Sequence, residues 1–192
     1  MHSYKYILAS NSPRRKELLE NLDLEIEVKV LKSVDESYPA DLPKTEIPLY
    51  VAKKKAEAHK ILISDDETIL ITADTIVLLE GKAYGKPKSE DDAKQMLREL
   101  SGHTHQVITG VCIISGKKEK YFSVTSDVTF SVLTEEEIEY YVTKYKPLDK
   151  AGAYGIQEWI GHVAVQNISG SYFNIVGLPV QRLYSELKSF YL

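Results

Sequence analysis

The chain has 192 residues, 43% of them hydrophobic and 27% charged, which is enough to build one domain around a substantial core. Its net charge of -4 weighs against non-specific nucleic-acid binding, which needs a basic field, but leaves room for a local basic cluster that holds a small anion. One cysteine, Cys112, excludes an internal disulfide, and no apolar run reaches membrane-spanning length, so a cytoplasmic setting is expected.

Strand-like and helix-like runs alternate, which predicts a single α/β domain over residues 1–192. Tyr4 to Ala9 predicts a buried strand, and Pro13 to Leu22 a helix with Leu18, Leu19 and Leu22 on one face. Glu25 to Leu31 alternates as a half-exposed strand does. A proline-rich loop follows. Leu49 to Ile63 then predicts a Lys- and Ala-rich helix, and Thr68 to Leu79 a long strand ended by a turn at Glu80-Gly81. Ser89 to Leu100 predicts a helix capped by Ser89. Gln106 to Ser115 and Glu119 to Leu133 predict a long hairpin turning at Gly116-Lys117. Thr134 and Glu137 have the spacing of a capping box. Beyond Tyr145 the chain is expected to loop, with a strand over His162 to Ile168 and a closing helix over Pro179 to Tyr191.

Local rules break first at Ala9 to Arg15. Ser12 suits an N-cap and Pro13 the first helical position, yet Arg14 and Arg15 follow. Each cation in the first turn opposes the helix dipole at a cost of roughly 0.3–1 kcal/mol. A bound anion would remove that conflict. Free backbone N–H groups, the Ser10 and Ser12 hydroxyls and two guanidinium groups can together cradle a polyphosphate. Two solvated arginines are the plain alternative.

Asp74 interrupts the apolar run from Ile69 to Leu78, where a carboxylate is costly unless paired, metal-bound or satisfied by backbone at a bulge. That makes it a candidate base or metal ligand. Asp35 and Glu36 are adjacent carboxylates, suited either to a hard divalent ion or to a solvated acidic loop. Lys53, Lys54, Lys55 and Lys86 offer point charges for phosphate if their faces turn to the site. The run Ala151 to Gln157 permits close backbone approach to a ligand, and the Gln157 amide can both donate and accept at a base edge. His103 and His105 would share one strand face without a third ligand at suitable spacing, and read as structural or surface residues.

Taken in order, these segments resemble the Maf family of nucleotide pyrophosphatases over nearly the whole chain. The resemblance rests on Leu8 to Arg15 with Glu17-Leu18-Leu19, on Asp35-Glu36, on Ala73-Asp74-Thr75 and on Gly85-Lys86-Pro87. It continues through Leu100 to Val107, Asp149 to Gln157, Gly170-Ser171-Tyr172 and Val176 to Pro179. It implies an ITPase-like α/β fold, with a mixed twisted sheet, flanking helices and two lobes around a central cleft, and commonly a homodimer. It implies hydrolysis of the α–β phosphate bond of a nucleoside triphosphate, assisted by magnesium or manganese. Asp74 matches the family's acid/base residue. Glu36, Lys55 and Lys86 match the groups lining the phosphate and metal site, with Glu36 and Asp74 as metal ligands. Ser10 and Arg15 match the phosphate-binding turn, and Arg14, Thr75 and Gln157 the positions linked to base choice.

Asp74-Thr75 and the Ala-Gly-Ala-Tyr-Gly-Ile-Gln run resemble the branch acting on dTTP and UTP. Asn11 stands where many members have a small residue. Glu158 and Trp159 follow Gln157 where many continue with Gly, which is expected to bear on the base pocket. A nucleotide-binding regulator of septum formation without turnover is the competing class, and an RNA-binding or membrane role is disfavoured.

Overall fold

A computed structural model describes residues 4–32 and 34–191. Its strands are β1 (Lys5–Leu8), β2 (Ile26–Val28), β3 (Thr68–Leu79), β4 (Lys82–Tyr84), β5 (Thr104–Ile114), β6 (Glu119–Phe130) and β7 (Val165–Ser169). They form one mixed sheet in the order β2-β1-β3-β5-β6-β7, with β4 paired to β3. β1 pairs parallel to both β2 and β3, and β4 and β7 pair antiparallel to β3 and β6. The helices are α1 (Pro13–Glu20), α2 (Ile47–His59), α3 (Glu90–Leu100), α4 (Glu135–Tyr145), α5 (Trp159–Val163), α6 (Tyr172–Val176) and α7 (Val180–Leu187). The α/β class and the mixed sheet with flanking helices agree with the sequence reading.

The chain divides into two compact units. The first holds the chain up to Asp74, Thr109–Val124 and the chain from Gly177 on. Here the small residues Ala52 and Ala56 let α2 lie against Cys112 and Ile114 of β5. Ile7, Ala9 and Leu70 form a second buried cluster. α7 buries Val180, Leu183 and Leu187. The 188–191 segment is tied back to β1 and the residue before it, as Tyr4 donates to the Phe190 carbonyl at 2.9 Å and the Tyr6 and Tyr191 hydroxyls meet at 2.8 Å.

The second unit holds Thr75–Ile108 and Thr125–Val176. Ser89 caps α3 through the Asp92 N–H, and the Thr134–Glu137 capping box opens α4 as its sequence demands. The two helices pair through Arg98, which grips Glu135 with two nitrogens, and through Lys94 and Glu139 at 2.6 Å.

Several boundaries differ from expectation. β2 is three residues long, because the pattern Glu25 to Leu31 outruns the stretch that β1 pairs with. β4 follows the Glu80-Gly81 turn and is too short to announce itself. The stretch beyond Tyr145 contains α5 and α6, each five residues, and five residues carry little helical periodicity. His162 therefore belongs to α5, and β7 starts at Val165 rather than at His162. The closing helix ends at Leu187 and tightens into a 3-10 turn over Lys188–Phe190.

Candidate active site

In the first unit, the strand period and the helix period bring β3 and α2 into repeated contact. Thr72 and Asp74 share one face of β3, two residues apart. Opposite them stand Ala52 and Lys55, one helical turn apart. The Thr72 hydroxyl donates to the Ala52 carbonyl at 2.8 Å, and Lys55 Nζ donates to Asp74 Oδ1 at 2.8 Å. The first bond is buried and fixes the helix against the strand. The second joins a lysine side chain 13% exposed to a carboxylate 19% exposed. Asp74 is thus paired rather than satisfied at a bulge.

Lys55 also meets Glu36 Oε2 at 3.1 Å, so two carboxylates from distant parts of the chain converge on one ammonium. The loop that delivers Glu36 is held by the same helix at two further points. Lys54 Nζ donates to Asp35 Oδ2 at 2.6 Å and to the Ser37 carbonyl at 2.9 Å. His59, one turn past Lys55, accepts the Leu31 N–H on Nε2 at 3.0 Å. Its ring proton therefore sits on Nδ1, which donates to the Lys55 carbonyl at 2.6 Å. Asp35 and Glu36 do not act as a pair. Asp35 closes the loop with Lys54 and Ser37, whose hydrogen bonds hold its carboxyl well below the usual range, and Glu36 alone reaches Lys55. Of the three lysines, Lys53 lies over the Tyr121 ring, Lys54 holds the loop and Lys55 enters the site.

The turn after β1 is built as its sequence reads. Ser12 is in extended backbone and accepts from the Arg15 N–H, with Pro13 in the first helical turn. Arg15 turns back onto the backbone around it. Arg15 Nε donates to the Gly177 carbonyl at 2.9 Å, and Nη1 donates to the Ala73 carbonyl at 2.8 Å and to Ser10 Oγ at 3.2 Å. Burial pulls the Arg15 guanidinium below its ordinary range, while the charge of Asp74 pushes the other way. Arg14 and Glu36 act on it as well, so Arg14, Arg15, Glu36, Lys55 and Asp74 form one electrostatic cluster. Arg15 is therefore a tie between the turn, β3 at the residue before Asp74, and Gly177. Replacing it with methionine strands those carbonyls, and stability in denaturant should fall by about 2 kcal/mol. A loss below about 0.5 kcal/mol, the surface norm, would mean that Arg15 does not hold the turn.

Thr75, Lys86 and Gln157 belong to the second unit. Thr75 follows Asp74 along β3 and is half-buried. Lys86 is exposed just past β4. Its neighbour Gly85 accepts the Gly152 N–H at 3.1 Å, which binds the Lys86 loop to the segment that carries Gln157. Gly152 has φ +68°, and a Cβ there would meet Val77 Cγ2 at 2.8 Å, so only glycine lets this segment lie so close to β3. Gln157 is exposed on the turn Gly155 to Glu158, closed by the Glu158 N–H to the Gly155 carbonyl at 2.9 Å. Glu158 has an internal task. Its carboxylate accepts from the Tyr141 hydroxyl and pairs with Lys150 at 3.1 Å, while Tyr141 accepts the Gly155 N–H at 2.9 Å. Trp159 packs edge-on against Tyr140.

Among the described residues, no three His, Cys, Asp or Glu side chains lie close enough to hold a metal ion by themselves. Asp74 and Glu36 nevertheless present oxygen donors around one cationic position. That donor set fits magnesium or manganese, which bind through one or two carboxylates and take the rest of their shell from water and phosphate. His59 and Thr72, which hold α2 against the Leu31 loop and β3, were not singled out by sequence, and Lys54, read as a candidate phosphate partner, holds the Asp35–Ser37 loop instead. The usable signal was spacing, since His59 lies four residues past Lys55 on the helix.

A solved structure of the Staphylococcus aureus Ham1 protein shares this fold, with TM-score 0.53 and 18% identity over 96% of this chain and 98% of that one. The family profile described as Maf-like protein matches residues 5–190, and the chain belongs to that family. Relatives named dTTP/UTP pyrophosphatase resemble it along its length. The protein from Phocaeicola vulgatus is 59% identical, covering 98% of this chain and 97% of its own, and that from Bacteroides thetaiotaomicron is 57% identical with the same coverage. The Flavobacterium psychrophilum protein is 50% identical over 94% of this chain and 91% of its own.

Proposed function

We propose that this protein is a nucleoside triphosphate pyrophosphatase that hydrolyses dTTP and UTP to the monophosphate and pyrophosphate. The observation that carries the reading is the convergence of Asp74 and Glu36 on Lys55 beside the Arg14-Arg15 turn. The names of relatives 50–59% identical support the same reaction and the same bases.

Water attacks the α-phosphorus, the bridging bond to the β-phosphate breaks, and pyrophosphate leaves. Lys55 holds Asp74 Oδ1, so Oδ2 is the oxygen assigned to accept the proton of the attacking water. We assign the α1 N-terminus, Ser10, Arg14 and Arg15 of the first unit and Lys86 of the second to the phosphates. A magnesium or manganese ion held by Glu36 and Asp74 would supply Lewis-acid polarisation of the phosphate. Phosphoryl chemistry of this kind depends mainly on positioning and charge. Arg14, Thr75 and Gln157 are assigned to base choice.

The chain works in this reading as one Maf domain, as a cytoplasmic homodimer, without nucleic acid or membrane. Among its described residues no helix is long and apolar enough to cross a membrane.

The test is pyrophosphate release from dTTP, UTP, CTP and 7-methyl-GTP, with and without magnesium or manganese. Metal-dependent release strongest with dTTP and UTP is expected, and no release from any of the four would contradict the reading. Gln157→Ala should raise KM for dTTP and UTP by about tenfold, the scale of one lost base hydrogen bond, with kcat nearly unchanged. An unaltered KM and base preference would remove Gln157 from the base-reading role.

A further inference from the structure

His105 is buried in the second unit, 1% exposed, inside an aromatic box. Its ring meets Phe130 edge-on at 4.9 Å and Tyr154 edge-on at 5.4 Å, and Phe130 and Tyr154 meet at 4.9 Å. Nε2 lies 2.8 Å from the Tyr154 hydroxyl, and Nδ1 has no hydrogen-bond partner among the described residues. A core that needed only volume would be filled at lower cost by an apolar ring, since an unsatisfied buried polar atom is destabilising. What the histidine adds is a directed bond to one atom of Tyr154.

Tyr154 immediately precedes the turn that carries Gln157. Its neighbour Gly155 is fixed by Tyr141, and Gly152, two residues earlier, is pressed against Val77. The backbone of this segment is thus clamped at Gly152 and Gly155, and the Tyr154 side chain is the strut between the clamps. Burial lowers the His105 pKa to about 4, so the ring stays neutral at physiological pH and the bond is not titrated.

We propose that His105 is a positioning residue for base selection: through its hydrogen bond to the Tyr154 hydroxyl it sets the turn on which Gln157 meets the nucleotide base. This rests on the reading of Gln157 as the base-contacting residue.

The experiment compares the wild type with His105→Phe, Tyr154→Phe and the double variant. Kinetics with dTTP and UTP, amide hydrogen exchange of the 152–158 segment and thermal unfolding are measured for each. His105→Phe strands the Tyr154 hydroxyl, and Tyr154→Phe strands Nε2 beside the already unpartnered Nδ1, so each single change lowers Tm, whereas the double change removes every one of these polar atoms and returns Tm towards wild type. The positioning role is read from what does not return. All three variants should show KM raised about fivefold with kcat within about twofold, the signature of lost binding alignment. All three should also show faster exchange confined to 152–158. Recovery of KM and exchange together with Tm in the double variant would overturn the proposal, leaving His105 a packing residue. Unchanged KM in every variant of an active enzyme would overturn it as well. A wild type that turns over neither nucleotide would instead overturn the pyrophosphatase reading, and this proposal with it.

Discussion

Asp74→Asn should lower the rate of dTTP hydrolysis at least about a hundredfold, the usual contribution of a positioned general base, while the fold stays intact. Asparagine keeps the shape of the side chain and an oxygen for Lys55, 2.8 Å away in the native pair. It loses the charge and the second oxygen that can take a proton from water. Lys55 is not stranded by the change, because Glu36 remains 3.1 Å from its ammonium. The stability loss should therefore stay near about 1 kcal/mol, below that for breaking a fully buried pair. Steady-state rates at saturating metal, alongside denaturant unfolding, check both halves. A rate within about fivefold of wild type would take the proton-accepting role away from Asp74.

Gly110→Ala should be strongly destabilising. A Cβ at Gly110 would overlap the N and Cα atoms of Leu49 and the carbonyl carbon of Pro48, all backbone of the first turn of α2. No side chain can rotate to relieve that overlap, so either β5 or α2 must move. α2 is the helix that carries Lys54, Lys55 and His59. The cost should reach about 3 kcal/mol, the upper end for overpacking a core, and activity should fall with it. Gly85→Ala is the matched control. A Cβ there meets nothing within 4 Å, so its stability should change by no more than about 0.5 kcal/mol. Equal unfolding midpoints for the two variants would mean that the close approach of β5 to α2 does not constrain the fold.

Much of this fold is legible in sequence because its longer elements carry strong periodic signals. β3 falls on Thr68–Leu79 as read, and the α3 and α4 caps lie at Ser89 and Thr134. The five-residue helices α5 and α6 escaped because tertiary packing, rather than periodicity, makes them helical. The site divides in the same way. Asp74 and the arginine turn broke local rules and could be found by that breach.

Which lysine of Lys53-Lys54-Lys55 enters the site depends on the face of α2 that meets β3, which no local rule states. Asp35 and Glu36 look alike in sequence and part company only because Lys54 and Lys55 point to different places on the same helix. The breach at Arg14-Arg15 had two readings, solvated or anion-binding. Arg15 takes neither in simple form, because its guanidinium is spent largely on the carbonyls of Ala73 and Gly177. Likewise Glu158, expected to bear on the base pocket, braces the Gln157 turn from within through Lys150 and Tyr141.

The most direct test of the central claim is product analysis after incubating the purified protein with dTTP and magnesium in water enriched in heavy oxygen. Attack at the α-phosphorus predicts equal amounts of dTMP and pyrophosphate, with the heavy oxygen in dTMP. Formation of dTDP and inorganic phosphate, or heavy oxygen in the pyrophosphate, would contradict the account.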